Sequence, residues 1–256
     1  MSDLLLSRQE AGVLQLALNR PAARNALNTA LLGELADAME RGDADPAVHC
    51  MVVHGHGDHF AAGADIDELA ERTAANGPTD PRLGHWQRIQ RIAKPWIAAV
   101  EGYCLGGGCE LALCADLLVV AEDAALGQPE IRLGMIPGAG GLQRLALTLG
   151  KARTLHLVLT GERFSGRDAH AWGLASQSCE NGQALNTALA TATRLVEGAP
   201  LAQRLAKQAV LAMTEAPHQA GFALGRRSFE LLLSSHDKAE GIAAFRERRT
   251  PTFRGE

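Results

Sequence analysis

No stretch of this 256-residue chain reaches the roughly 18 consecutive apolar residues of a membrane-crossing helix, so no membrane partner is expected. The opening MSDLLLSRQE lacks a basic region, a long apolar core and a cleavage site, so no secretion signal is expected either. Cysteines number five, an odd count and too few to staple a chain of this size. A reducing, cytoplasmic setting is the simplest expectation. Positive charge is not in excess: the formal net charge is -4, so nucleic acid is not an expected partner. There is no Gly-x-Ser-x-Gly elbow, no Walker phosphate loop, no Gly-x-Gly-x-x-Gly, no long repeat and no low-complexity tract.

What remains is a globular composition. Hydrophobic residues make up 46% and charged residues 21%, enough for one large packed domain or a core with a small appendage. A hairpin is expected from 3–7 and 13–18 around Glu10–Gly12. Asn28 can cap a helix over 29–41, with Leu31, Leu32, Leu35 and Met39 at helical spacing. Strands are expected at 48–53, 96–100 and 117–121, and helices near 65, at 82–93, at 109–115, at 142–149 and at 151–159. Residues 73–81 read as a mobile surface loop. Ser165 to Asp168 fits a capping box for a helix at 166–172, closed by Gly173. From 183 onward the pattern is helical only, at 183–197, 201–213, 217–234 and 238–248. The expected division is therefore a sheet-building core domain, 1–199, and a C-terminal helical domain, 200–256.

The chemistry concentrates in residues 94–141. Gly106-Gly107-Gly108 follows a strand and opens a helix, where free N–H groups favour a negatively charged ligand atom or simply make a tight turn. His59-Phe60-Ala61-Ala62-Gly63-Ala64-Asp65 is a second small-residue connection of this kind. Two such loops facing one point would make an oxyanion hole. Glu110, read as the second residue of its helix, and Glu130, in Gly127-Gln128-Pro129-Glu130, stand in apolar, glycine-rich surroundings. Such a pair can divide general acid and base work over one water. The plainer alternative is a helix-end charge for Glu110 and an ion pair with Arg132 for Glu130. His54-x-His56-x-Asp58-His59 reads as a surface loop rather than a metal site, and no metal is expected. Cys104, Cys109 and Cys114 recur every five residues, which is not a zinc spacing, and read as core.

Phe60-Ala-Ala-Gly-Ala-Asp65, Lys94-Pro-Trp-Ile-Ala-Ala-Val100 with Gly102, Gly106-Gly-Gly-Cys-Glu110-Leu-Ala, Gly127-Gln-Pro-Glu130 and Ile136-Pro-Gly-Ala-Gly-Gly141 resemble the enoyl-CoA hydratase (crotonase) family in order and spacing. The resemblance spans essentially the whole chain. Leu18 to Asn28 and Arg249 to Gly255 are similar, within that family, to the 2,3-dehydroadipyl-CoA hydratases of bacterial phenylacetate degradation. The resemblance implies an α/β fold, a crotonase-like spiral of strand–strand–helix repeats with a C-terminal helical, trimerising part. It implies a homotrimer or a homohexamer made of paired trimers. It implies a lyase that hydrates a trans-2-enoyl-CoA to the 3-hydroxyacyl-CoA in phenylacetate degradation or fatty acid β-oxidation. No cofactor is implied, because CoA is part of the acyl-CoA substrate.

By the same resemblance, Ala64 and Gly107 would supply the oxyanion-hole N–H groups, Glu110 the base and Glu130 the proton donor. Gly138 and Gln128 would position the water and the glutamates. Ala62, Asp65 and Ile66 would lie along CoA, Arg248 would reach its phosphates from a neighbouring subunit, and Phe229 would line the acyl pocket. Two positions depart from the family: Asp67 stands where a phosphate-binding lysine is usual, and Glu101 where asparagine precedes Gly-Tyr. Arg82, His85 and Arg88 are candidates for holding a distal carboxylate on the acyl chain. The rivals to hydration are a Δ3,Δ2-enoyl-CoA isomerase, which needs one carboxylate, and a hydratase-like RNA-binding protein, against which the net charge argues.

Overall fold

The computed structural model describes residues 4–71, 80–215 and 235–256. Residues 73–79 of the loop expected at 73–81, the helix expected at 217–234 and the candidate Phe229 lie outside the described residues, while Asp80 and Pro81 of that loop cap and start a helix. Six strands form the main sheet in the order β1-β2-β3-β4-β6-β9. They are β1 (Leu5–Glu10), β2 (Val13–Leu18), β3 (Cys50–Gly55), β4 (Trp96–Val100), β6 (Leu117–Ala121) and β9 (Gln177–Cys179). Only β1 and β2 pair antiparallel, as the hairpin signal predicts; the other neighbours in this sheet are parallel. A smaller sheet of three-residue strands, β5 (Tyr103–Leu105), β7 (Ala125–Gly127) and β8 (Arg163–Ser165), sits beside it.

Both faces of the main sheet are covered, which is why its central strands are almost uniformly apolar. On one face Met51, Val53, Trp96, Ala98, Val100, Leu118 and Val120 join a core with Leu31, Leu32, Leu35 and Met39 of α1 (Thr29–Ala44) and with Trp86 and Ile89 of α3 (Pro81–Gln90). On the other, Cys50, Val52, Ile97, Ala99 and Val119 pack on Ala184, Ala188 and Ala192 of α7 (Ala184–Val196). Asn28 caps α1 by accepting the Leu31 N–H at 2.9 Å, as expected. Ser165 and Asp168 form the expected capping box of α6 (Gly166–Ala171).

Two details depart from the expected elements. The helix that carries Glu110, α4 (Gly107–Cys114), begins two residues earlier than expected, so Glu110 is its fourth residue rather than its second. Packing brings glycine into its first turn, since a Cβ on Gly108 would collide with Ala61. The helices expected at 142–149 and 151–159 are both present, as the two halves of α5 (Gly141–Thr160), separated by non-helical Gly150 with φ 72°. Strands β5, β7, β8 and β9 were not anticipated, since three residues are too few to show a period.

Among the described residues beyond Ala184 there are only helices: α7, α8 (Pro200–Glu215) and a last one at His236–Glu247. Lys207 ties α8 to the sheet through Asp116 Oδ2 at 2.8 Å and Lys94 O at 3.0 Å. Buried Asp237 accepts the N–H groups of Arg254 and Gly255 at 2.6 and 2.8 Å and so pins the chain end. No described helix is long and apolar enough to cross a membrane.

The small α2 (Ile66–Ala70), α3 and α4 flank the loops that follow β2, β3 and β5. Helix α4 lies hard against the post-β3 loop: a Cβ on Gly108 would sit 2.2 Å from Ala61 O. Gly108→Ala should therefore lower stability by about 1–3 kcal/mol. Gly84→Ala, in exposed α3 with nothing within 4 Å of the new methyl, should raise it by about 0.5–1 kcal/mol. Urea denaturation of the two variants checks both signs.

Candidate active site

Four loops meet where the two sheets adjoin. The first runs from β3 to α2. Asn25, fully buried, donates to His56 O at 3.1 Å and His59 O at 2.7 Å and so shapes its approach. Ala61 then pairs with β5: its N–H donates to Tyr103 O and its carbonyl accepts from Leu105, both at 3.0 Å. Leu27 pairs on the far side, donating to Gly63 O at 2.8 Å and accepting from Asp65 at 3.1 Å. Between these contacts the Ala64 N–H has no acceptor among the described residues.

The second loop is the β5–α4 turn. Gly106 adopts φ 49° and ψ -125°, which a side chain would not tolerate, and its N–H donates to Gly127 O at 2.9 Å. The turn leaves the Gly107 N–H at the start of α4, again without an acceptor among the described residues. The two amides are neighbours: a Cβ on Gly107 would lie 3.5 Å from Ala64 N. Two donors, one of them at a helix N-terminus, thus face a common space suited to a developing oxyanion.

Glu110 and Glu130 reach the same region from opposite sides. Glu110, 4% exposed, accepts from Ala139 N at 2.6 Å and Gly141 N at 2.9 Å, the main-chain donors at the start of α5. Burial pushes its carboxyl above the usual range, while the N–H groups of Gly141, Ala139 and Gly138 and the charge of Arg144 pull it back. Arg144 also clamps this loop by donating to Ala139 O at 3.0 Å. Glu130 begins a 3-10 turn, Pro129–Leu133, and its Oε1 is 3.2 Å from where a Gly106 Cβ would be. Its half-buried carboxyl is pushed up to about 7, chiefly by burial, with its own N–H opposing and the Glu110 charge adding. Buried Gln128 links the pair. Oriented to satisfy its hydrogen bonds, its amide nitrogen donates to Glu130 at 3.0 and 3.3 Å. Any Cβ on Gly141 would collide with both Glu110 Cγ, at 2.9 Å, and the Gln128 amide, at 2.5 Å.

The structure thus brings together Ala64, Gly107, Glu110, Gln128, Glu130 and the Gly138 main chain. The simpler alternative for Glu130, an ion pair with a nearby arginine such as Arg132, fails: no arginine acts on its carboxyl among the described residues. Of the remaining candidates, Ala62 donates to Arg24 O at 2.9 Å and Ile66 is exposed at the start of α2. The Asp65 side chain is engaged, capping α2 and pairing with Arg20 at 2.8 Å. Arg248 is exposed past the last helix, with φ 56°. Glu101 does not join the carboxylate pair; it accepts the Ala184 N–H at 2.8 Å and caps α7. The candidates for a distal carboxylate are committed elsewhere. Arg82, 5% exposed, donates to Leu27 O, and Arg88 pairs with Asp37 and Glu40 and contacts His85. His59 stacks on Tyr103 at 4.5 Å and accepts its N–H, so that loop histidine serves the fold. Among the described residues no cluster of three His, Cys, Asp or Glu could hold a metal, and Cys104, Cys109 and Cys114 are free thiols.

The sequence reading missed Arg24. Its guanidinium lies 5.5 Å from the Tyr103 ring centre, beside the Ala61–Ala64 loop, and no carboxylate pairs with it among the described residues. A single arginine in a polar loop gave no pattern by which to find it.

Fold and site together define the class: the chain belongs to the enoyl-CoA hydratase/isomerase family, whose profile matches residues 8–256. Among its relatives, it is 46% identical over the full length of both chains to the 2,3-dehydroadipyl-CoA hydratase of Escherichia coli (strain K12). It is 40% identical to a probable enoyl-CoA hydratase of Mycobacterium bovis, over 98% of each chain. Solved structures agree. An enoyl-CoA hydratase subunit I from Geobacillus kaustophilus HTA426 superposes with a TM-score of 0.95 at 39% identity, over 99% of this chain and 98% of that one. An enoyl-CoA hydratase from Mycobacterium tuberculosis H37Rv gives 0.91 at 37% identity over the whole of both chains.

The raised Glu130 carboxyl has a consequence for stability. Unfolded, it titrates near 4.5; folded, near 7, so across that window the folded state keeps a proton that the unfolded state releases. Stability should fall as pH rises through the window, by about 3 kcal/mol in all. Glu130→Gln cannot titrate, so the variant should gain on the parent from about pH 5 to about pH 8. Urea midpoints at both ends check this; a gap independent of pH contradicts it.

Proposed function

We propose that this protein adds water across the conjugated double bond of a trans-2-enoyl-CoA and releases the 3-hydroxyacyl-CoA. The observation that carries the reading is the placing of two carboxylates of unequal basicity beside two main-chain N–H groups that have no acceptor among the described residues. The thioester oxygen accepts from Ala64 and Gly107, which takes up the negative charge that forms as the double bond becomes an enolate. Three main-chain N–H groups at the start of α5 favour the ionised form of Glu110, so it acts as the base. It removes a proton from water as the water oxygen bonds to the β-carbon. Glu130, protonated up to about 7, gives its proton to the α-carbon as the enolate collapses. Gln128 and Gly138 hold the pair and the water in line. The step needs no redox change and no cofactor.

CoA lies along Ala62, Asp65 and Ile66, and its phosphates meet Arg24 of the same chain and Arg248 of a neighbouring one. Arg24 offers the cation that Asp67 does not. The acyl chain is most simply that of 2,3-dehydroadipyl-CoA, the substrate named for the Escherichia coli relative; on this reading the reaction serves phenylacetate degradation or fatty acid β-oxidation. Five free thiols suit a reducing, cytoplasmic setting.

The parent should hydrate crotonyl-CoA and 2,3-dehydroadipyl-CoA, read as loss of the conjugated-thioester absorbance. Glu110→Gln and Glu130→Gln should each lower kcat by about 100-fold or more with little change in KM. No hydration by the parent, with 3-enoyl-CoA isomerisation retained in Glu110→Gln, would favour the isomerase.

The assembly is a homotrimer or a pair of trimers. Ile131, Met135, Ile136, Leu155 and Leu159 are exposed around a groove of about 520 Å³, an apolar patch of the kind that marks an interface. Sedimentation should give a mass of three or six chains; a single-chain mass would contradict this.

A further inference from the structure

The Ala64 N–H bonds to nothing among the described residues, so its direction is set entirely by its neighbours. Those neighbours are held by Leu27, which brackets Ala64 by bonding Gly63 on one side and Asp65 on the other. Leu27 and Ala26 are in turn held by two arginines. Arg82 Nη1 donates to Leu27 O at 2.8 Å, and Arg20 Nη1 to Ala26 O at 2.6 Å. Each arginine also meets a carboxylate at the start of α2. Arg20 Nη1 is 2.8 Å from Asp65 Oδ2, and Arg82 Nη1 is 3.3 Å from Glu68 Oε2. Both carboxylates have further duties. Asp65 Oδ1 caps α2 through the N–H groups of Asp67 and Glu68, and Glu68 takes the Thr29 N–H at 2.9 Å and the Thr29 hydroxyl at 2.8 Å.

We propose that these two clamps, Arg20–Asp65 and Arg82–Glu68, aim the Ala64 N–H at the thioester oxygen, and that Arg82 is a positioning residue for the reaction. The proposal rests on the reading of Ala64 as an oxyanion donor. Its physical basis is the place of Arg82. A guanidinium only 5% exposed is costly to bury, and its partners include the Leu27 carbonyl, which also accepts from Asp65 next to the donor, and the Glu68 carboxylate on α2. An apolar side chain would anchor α3 at less cost. What it could not do is fix a carbonyl direction. Oxyanion donors act through preorganised geometry, so a displacement of about 0.5 Å is enough to weaken them.

The test uses the whole protein and a chromophoric acyl thioester, 4-(dimethylamino)cinnamoyl-CoA, whose absorption moves to the red when its carbonyl is polarised. The parent should hydrate crotonyl-CoA and show the red shift. Arg82→Ala, with a cooperative melt, should lose about 10- to 100-fold in kcat with KM changed less than about threefold, and much of the red shift. Added guanidinium should restore part of both. Glu68→Gln, which removes the charge facing Arg82 while keeping the side-chain shape, should show a smaller loss in the same direction and serves if Arg82→Ala does not fold. Parent-like kcat and red shift in a folded variant overturn the inference and leave the reading of Ala64 standing. A parent with neither hydration nor red shift overturns both.

Discussion

The approach of the Ala61–Ala64 segment to the Gly106–Gly108 turn is the contact on which the site depends. It is close because both sides are nearly free of side chains: Gly108 fits against Ala61 only without a Cβ, and Gly106 takes a backbone conformation that only glycine takes easily. Hydrogen bonds from Ala61 to β5 and from Gly106 to Gly127 hold the approach in register. The consequence is two amides that bond to nothing among the described residues. Such groups are rare in a folded protein and point outward to a ligand.

Around that contact the carboxylates divide by environment. Both are buried enough to be pushed toward neutrality, but only Glu110 meets the donor end of a helix. Glu130 meets Gln128 and the field of Glu110 instead. Two groups of one chemical type are thereby given different proton affinities, which is what a proton must find if it is taken up at one place and given off at another. Gly141 shows how tightly this is built, since one methyl there would displace both glutamate and glutamine.

Ionic contacts around the pocket serve placement rather than chemistry. Glu101, which departs from the family, caps α7 and stays out of the carboxylate pair. Arg82, Arg88 and Asp65, which the sequence offered as ligand contacts, spend their charges on Glu68, Glu40 with Asp37, and Arg20. A charged residue in a loop near a site looks the same in a sequence whether it meets a ligand or another side chain. Arg24 illustrates the reverse: nothing marked it, and it stands beside the loop without a carboxylate partner among the described residues.

Much was legible before any coordinates. The hairpin, the cap at Asn28, the capping box at Ser165 and the apolar strands β4 and β6 follow from local chemistry and from period, which the chain carries within a few residues. The spaced blocks from Phe60 to Gly141 marked the family and the residues of its site. Tertiary structure alone decided that α4 starts at Gly107, that three-residue strands form the second sheet, which charges are free, and how the glutamates differ in basicity. Each of these turns on groups far apart in the chain meeting within a few ångströms, and on the water they exclude when they do. Neither distance nor exclusion is written in the order of the residues.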